Sequence, residues 1–240
     1  MYFYLEYKKE KRTGLIPAFI GSAILAAIVP ILNMAFRQEM YTNIAGPPLQ
    51  IMLDANWQIM AMLNILLVVA GACLMYHTEY ADNAIQRMCA LPIRESTLFF
   101  SKFALMCLLC LLMLIIEAAA IGFCSVHWFG RPENLALEMT KNFGYFYLLM
   151  LPASLLSLFI ASACRNMWVS LGIGVICVFT ATMLPTNSFA LSLFPFALPF
   201  QILVGTPENT IRNFIIAGII EILIIAVSEI IFLKVRRSFE

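Results

Sequence analysis

Six apolar runs, separated by short polar segments, most constrain what this chain can fold into. They cover residues 15–36, 57–76, 98–124, 143–163, 167–184 and 211–233. Each run approaches or exceeds the ~20 residues that a helix needs to cross the hydrocarbon core of a bilayer. Since 62% of the 240 residues are apolar and only 12% are charged, a water-soluble globule is excluded. The sequence therefore predicts an all-α, multi-pass membrane protein with six transmembrane helices, folded as one domain over residues 1–240.

The positions of the basic residues predict the orientation of these spans, because Lys and Arg collect on cytoplasmic flanks. With the N-terminus inside, the cytoplasmic segments hold Lys8, Lys9, Lys11, Arg12, Arg87, Arg94, Lys102, Arg165, Lys234, Arg236 and Arg237. The outer segments hold Arg37, Arg131, Lys141 and Arg212. Both termini are therefore expected in the cytoplasm. The first run is longer than a signal-peptide core and no small-residue cleavage pattern follows it, so we expect it to be retained.

The segments between the spans differ in character. Residues 37–56 contain Gly46, Pro47 and Pro48 and show no apolar periodicity, which predicts an outer loop. Residues 191–200 are too short to span and too hydrophobic for an ordinary loop, so we expect a broken outer hairpin before span six. Residues 1–13 combine aromatic and basic side chains, which indicates an interfacial helix or, equally, a plain positive flank.

Several classes of active site are missing from the sequence. It has no GxxxxGK[ST] phosphate loop and no cytoplasmic segment long enough for a nucleotide-binding domain, so ATP hydrolysis by this chain is not expected. His77 and His127 lack HExxH spacing, and Cys107 and Cys110 have CxxC spacing without further ligands. We therefore expect no catalytic residue, no metal site and no cofactor bound by this chain. The net charge of +1 gives no support for binding nucleic acid.

Residues 79–91, between the second and third runs, form an amphipathic pattern. At 100° per residue, one face is apolar and the other carries Glu79, Asp82, Asn83, Gln86 and Arg87. A helix divided in this way is expected to lie flat on the membrane protein and to show its polar face to water. Pro92 then marks a bend, because proline cannot continue the preceding helix comfortably.

Two segments resemble a known family. Residues 79–102, EYADNAIQRMCALPIRESTLFFSK, resemble the signature of type-2 ABC exporter permeases. There a Glu opens a helix lying on the ATPase, and a Leu-Pro-(Ile/Val) turn with a basic residue leads to a Lys entering the third span. The family usually has a Gly where this chain has Asn83. Residues 6–13, EYKKEKRT, are similar to the Glu-x-x-Lys-x-Lys-Arg-(Ser/Thr) opening of permeases that protect lantibiotic producers from their own peptides.

The resemblance implies a permease that forms a dimer, either a homodimer or a heterodimer with a related permease, in the bacterial plasma membrane. Each copy would bind a cytoplasmic ABC ATPase, which holds the ATP and Mg. The ATPase-docking residues implied are Glu79, Asn83, Gln86 and Arg87, followed by the bend at Pro92 and Arg94. The substrate implied is hydrophobic or amphipathic, with a lantibiotic-type antimicrobial peptide favoured. A small-drug or lipid exporter, or a membrane sensor or scaffold that does not transport, remains an alternative, and residues 79–91 could be a solvated loop without a partner.

Polar residues inside the predicted spans are costly, and three of them are candidates for a functional role. Glu221 lies near the middle of the sixth span, Asn64 lies at similar depth in the second, and Glu117 lies in the outer third of the third. They could line a substrate path that attracts a cationic peptide. Alternatively, they could be hydrogen-bonded to neighbouring spans.

Overall fold

The computed structural model describes residues 2–11, 13–80, 95–130, 134–184 and 188–239. Within these ranges the chain consists of helices joined by turns and contains no strand. In chain order the helices are α1 (Tyr2–Glu10), α2 (Leu15–Thr42), α3 (Pro48–Tyr80), α4 (Glu95–Phe129), α5 (Leu135–Ala163), α6 (Met167–Met183), α7 (Phe189–Ser192), a 3-10 helix (Leu198–Phe200) and α8 (Glu208–Phe239). The all-helical fold predicted from the sequence is confirmed.

Helices α2, α3, α4, α5 and α8 are long and apolar enough to cross a membrane, which confirms a multi-pass membrane protein. Helix α6 coincides with the fifth predicted run but has only 17 residues. At 1.5 Å per residue it is about 26 Å long, slightly less than the ~30 Å hydrocarbon core. Six spans with both termini inside therefore stay a prediction.

The prediction of a loop over residues 37–56 is wrong. Helix α2 continues to Thr42 and α3 begins at Pro48, so the connection is only residues 43–47. Proline is favoured in the first turn of a helix, where its missing N–H has no intrahelical acceptor. Arg37 has φ −130° and ψ 33°, which kinks α2 without ending it. Both helices thus extend beyond their apolar runs, α2 at its end and α3 at its start.

Helix α3 lies at the centre of the fold and packs against α2, α4, α5 and α6. Glycines permit two of these close approaches. A Cβ on Gly71 would lie 2.7 Å from Cε2 of Phe19 on α2, and a Cβ on Gly174 of α6 would lie 2.3 Å from Cγ1 of Val69 on α3. Any larger residue at either position would push the helices apart.

Between α6 and α8, the described residues 188–207 contain two short helical pieces, α7 and the 3-10 helix. Residues 196–200 are buried, and the 3-10 helix packs against α3 and α5. The indole N–H of Trp57 on α3 donates a hydrogen bond of 2.9 Å to the carbonyl oxygen of Pro199. The same indole stacks on Phe146 of α5 at 3.6 Å between ring centroids. This segment (residues 188–207), which we call the outer segment after the outer hairpin that the sequence predicts here, is therefore anchored in the helix bundle.

Helix α1 turns its acidic side chains inward. Glu6 and Glu10 are buried, whereas Tyr4 and Leu5 are exposed. Helix α1 packs mainly on α4. This arrangement is the reverse of a helix on a soluble protein, and it suits a helix whose outer face meets lipid headgroups, where aromatic rings are favoured.

Candidate functional site

Two oppositely charged residues lie at the two ends of the segment 81–94, which links α3 to α4. Glu79 is in the last turn of α3, and Lys102 is in the third turn of α4. The Nζ atom of Lys102 lies 2.6 Å from Oε1 of Glu79. The side chains are only 1% and 6% exposed, so this is a buried ion pair.

Helix α1 adds Glu6 and Lys9, which form a ring of four charges together with this pair. Oε2 of Glu6 lies 2.9 Å from Nζ of Lys102. Nζ of Lys9 lies 2.9 Å from Oε1 of Glu79 and 3.7 Å from Oε2 of Glu6. Each carboxylate in the ring thus has a cation on both sides. We call Glu6, Lys9, Glu79 and Lys102, together with the neighbouring Glu10, the ion-pair cluster.

Glu10 forms weaker polar contacts than the other members of the ion-pair cluster. Its Oε1 lies 3.9 Å from Nζ of Lys9 and has no hydrogen-bond partner among the described residues. Its Oε2 accepts a hydrogen bond of 3.0 Å from the hydroxyl of Thr13. Burial raises the pKa of Glu10 above its ordinary value of 4.5, although Lys9 and Lys102 act in the opposite direction.

Buried charges are costly unless they are paired, so the ion-pair cluster favours one relative placement of α1, α3 and α4. The last turn of α3 and the early turns of α4, which flank residues 81–94 in the sequence, meet α1 at this cluster. Beside the cluster, the hydroxyl of Tyr80 donates a short hydrogen bond to the carbonyl oxygen of Ser162 on α5. A force applied to the segment 81–94 would therefore reach several membrane helices through fixed attachments.

The structure describes only one of the predicted ATPase-docking residues. Asn83, Gln86, Arg87, Pro92 and Arg94 lie outside the described residues. Glu79 was expected on a polar face exposed to water, but it continues α3 and its carboxylate is buried against Lys9 and Lys102. A carboxylate in this position holds the end of α3 to Lys9 of α1 and Lys102 of α4, and the role of Glu79 in ATPase docking stays a prediction.

The sequence patterns did not assign Glu6, Lys9 and Lys102 to one site. A signal was present, because Lys102 interrupts an apolar helix, and Glu6 and Glu10 fall four residues apart on one face of α1. Their partners lie up to 96 residues away along the chain. No local periodicity could have joined them.

Two of the three predicted substrate-path residues are brought together. The side-chain amide of Asn64 on α3 donates a hydrogen bond of 2.9 Å to Oε2 of Glu117 on α4, and both residues are fully buried. Within the described ranges, Oδ1 of Asn64 and Oε1 of Glu117 have no hydrogen-bond partner. Glu221 lies apart on α8, half-buried, and its Oε2 is likewise unpartnered there.

In the described part of the chain, no group of three or more His, Cys, Asp or Glu side chains could hold a metal ion.

Comparison with known proteins gives one match. A family model described as "ABC-2 family transporter protein" matches residues 2–181. This range includes the ion-pair cluster, the segment 81–94 and the first four long helices. No curated protein and no solved structure matches the chain.

Proposed function

The chain belongs to the ABC-2 transporter family, and from this premise we propose that it exports a cationic, amphipathic peptide of the lantibiotic type from the membrane. As a family member it is the membrane-spanning permease component, and a partner ATPase is implied. The peptide cargo, which would give the producing cell immunity, is our proposal. It is supported by the resemblance of residues 6–13 to lantibiotic self-protection permeases.

We further propose six spans with both termini in the cytoplasm, and two permease copies in the assembly. This orientation places the ion-pair cluster and the segment 81–94 on the side of the ATPase. The basic residues on that side support it.

The observation that carries the mechanism is the ion-pair cluster at both ends of the segment 81–94. A soluble ATPase can move membrane helices only through an element that is firmly attached to them. Lys102 attaches the start of α4 to the end of α3 and to α1. We propose that Asn83, Gln86 and Arg87 contact the ATPase, that Pro92 and Arg94 form the bend, and that Glu79 positions this segment without touching the partner.

The docking proposal is tested with Arg87→Glu. The purified permease and its ATPase are reconstituted in proteoliposomes, and both complex formation and peptide-stimulated ATP hydrolysis are measured. We expect Arg87→Glu to weaken the complex and abolish the stimulation while leaving the unfolding of the permease unchanged. Lys141→Glu is the matched control, because Lys141 is an exposed cation at the opposite end of the bundle.

Two results would contradict the proposal. If Arg87→Glu and Lys141→Glu have the same effect, Arg87 does not belong to a docking surface. If a neutral drug or a lipid stimulates ATP hydrolysis while lantibiotic-type peptides do not, the peptide cargo is wrong although the permease assignment stands.

A further inference from the structure

A recess of about 910 Å³ opens at the end of the bundle opposite the ion-pair cluster. Its walls come from the first turns of α3, the end of α6, the outer segment and the first turns of α8. One carboxylate and four carboxamides line it: Gln50, Asp54, Gln58, Gln201 and Asn213. The sequence patterns did not predict this recess, because its residues were assigned to two separate loops and the start of a span.

The polar side chains of the recess are available to a ligand. Among the described residues, none of these five side chains forms a hydrogen bond or an ion pair within the chain. Asp54 is exposed, and it is the one formally charged side chain in the described lining. One carboxylate and four carboxamides, each with an oxygen that can accept hydrogen bonds, thus line one space.

Two features give the recess a fixed shape. The hydrogen bond from Trp57 to Pro199 fastens the outer segment to α3, one turn from Asp54. Gly205 has φ +80°, a conformation that favours glycine. A Cβ at Gly205 would also lie 3.0 Å from Nε2 of Gln50, so the absence of a side chain there leaves room for the Gln50 carboxamide.

We propose that this recess binds a protonated amine of a cationic peptide, with Asp54 as its ion-pair partner. An ammonium group has three hydrogen-bond donors and no acceptor, and a carboxylate together with the oxygens of carboxamides in the same lining can accept them. Gln58 lies one helical turn from Asp54 on α3, and Asn213 faces the same space from α8. The inference rests on the proposed function, since it gives a binding site to the peptide cargo.

The lining favours a peptide amine over the headgroup of an aminophospholipid. A headgroup would bring a phosphate together with its amine, and the described lining contains no Lys or Arg to pair with the phosphate. Asp54 would repel it. A peptide side chain or N-terminus brings the amine without the phosphate.

Binding is measured with the full-length permease in phosphatidylcholine nanodiscs, without ATPase or ATP. The probe is a lysine-rich amphipathic peptide, and its fully acetylated form is compared with it. We expect Asp54→Asn to weaken binding of the unmodified peptide by about tenfold, the scale of one charge-assisted hydrogen bond. The acetylated peptide should bind wild type and Asp54→Asn equally. Glu39→Gln, an exposed carboxylate on α2 outside the recess, should leave the affinity unchanged.

Three results would overturn the inference. Equal affinity of the unmodified peptide for wild type and Asp54→Asn would remove Asp54 from the site. An equal loss in Glu39→Gln would indicate general surface attraction. If phosphatidylethanolamine in the nanodiscs displaces the peptide and itself binds in an Asp54-dependent manner, the ligand is a headgroup. Because these assays contain no ATPase, a failure of the docking proposal would not affect them.

Discussion

Replacing Lys102 with methionine would test whether the ion-pair cluster fixes the helices at the ends of the segment 81–94. The substitution keeps a long unbranched side chain and removes the ammonium group that lies 2.6 Å from Glu79 and 2.9 Å from Glu6. Removing one member of a buried ion pair typically costs about 3–5 kcal/mol, since the remaining charge is left uncompensated. Lys9 still contacts Glu79 at 2.9 Å, so we expect a loss near the lower limit, about 3 kcal/mol.

Lys9→Met is the matched control within the same cluster. The side chain of Lys9 is 26% exposed, against 1% for Lys102, so it retains water and its ion pairs are weaker. We expect a loss of about 1 kcal/mol, at the upper end of the range for solvent-exposed pairs. The comparison separates the effect of burial from the effect of simply deleting a positive charge.

A third variant tests the reason for the loss. On the Lys102→Met background, Glu6→Gln and Glu79→Gln remove the two carboxylates that would otherwise be uncompensated. Because replacing a whole buried ion pair by neutral groups is often close to neutral, this triple variant should regain most of the lost stability. Unfolding in SDS, followed by tryptophan fluorescence, gives the free energies. Equal losses for Lys102→Met and Lys9→Met, or no recovery in the triple variant, would refute the reasoning.

Two further predictions concern buried carboxyl groups. Glu117→Gln should leave the SDS unfolding free energy nearly unchanged, because the new side-chain amide can donate to the unpartnered Oδ1 of Asn64. Glu117→Leu should instead lose about 1–3 kcal/mol. Equal losses in the two variants would contradict this pairing. Burial raises the pKa of Glu10 in the folded protein. The protonated Glu10 carboxyl group therefore contributes to stability below the ordinary pKa of 4.5, and this contribution is lost as the pH rises through the raised pKa. The wild type should therefore lose stability relative to Glu10→Gln over this window, and a difference that does not change with pH would contradict the assignment.

The membrane helices were predictable because each one appears in the sequence as a continuous run of about 20 apolar residues. Their ends were not. Helix α2 continues through Arg37 to Thr42, and α3 begins at Pro48, although residues 37–42 and 48–56 lie outside the apolar runs. Hydropathy marks the part of a helix that lies in hydrocarbon and is insensitive to turns that extend beyond it. The recess beside Asp54 was missed for the same reason, since its α3 wall was interpreted as a loop.

The ion-pair cluster was only partly predictable. Helical periodicity placed Glu79 on a polar face and assumed that this face meets water. Its burial is decided by Lys9 and Lys102, which belong to other helices, and a pattern within residues 79–91 contains no information about them. The family signature did single out the acidic residue and the later lysine. The signature contains no information that Glu79 and Lys102 contact each other or that residues of α1 bind to both.

Helix α3 is a single element that extends from the recess beside Asp54 to the ion-pair cluster. It runs for 33 residues from Pro48 to Tyr80, about 50 Å at 1.5 Å per residue, with Asp54 near its first turns and Glu79 in its last. Helix α2 contains a kink at Arg37 and an internal proline, and α5 contains Pro152, but α3 has no proline after its first position and no non-helical residue. Because α3 is one uninterrupted helix, we expect a tilt imposed at the ion-pair cluster to displace the α3 wall of the recess as well. Coupling between the two ends then needs no chain of side-chain rearrangements through the core, because the backbone of α3 supplies it.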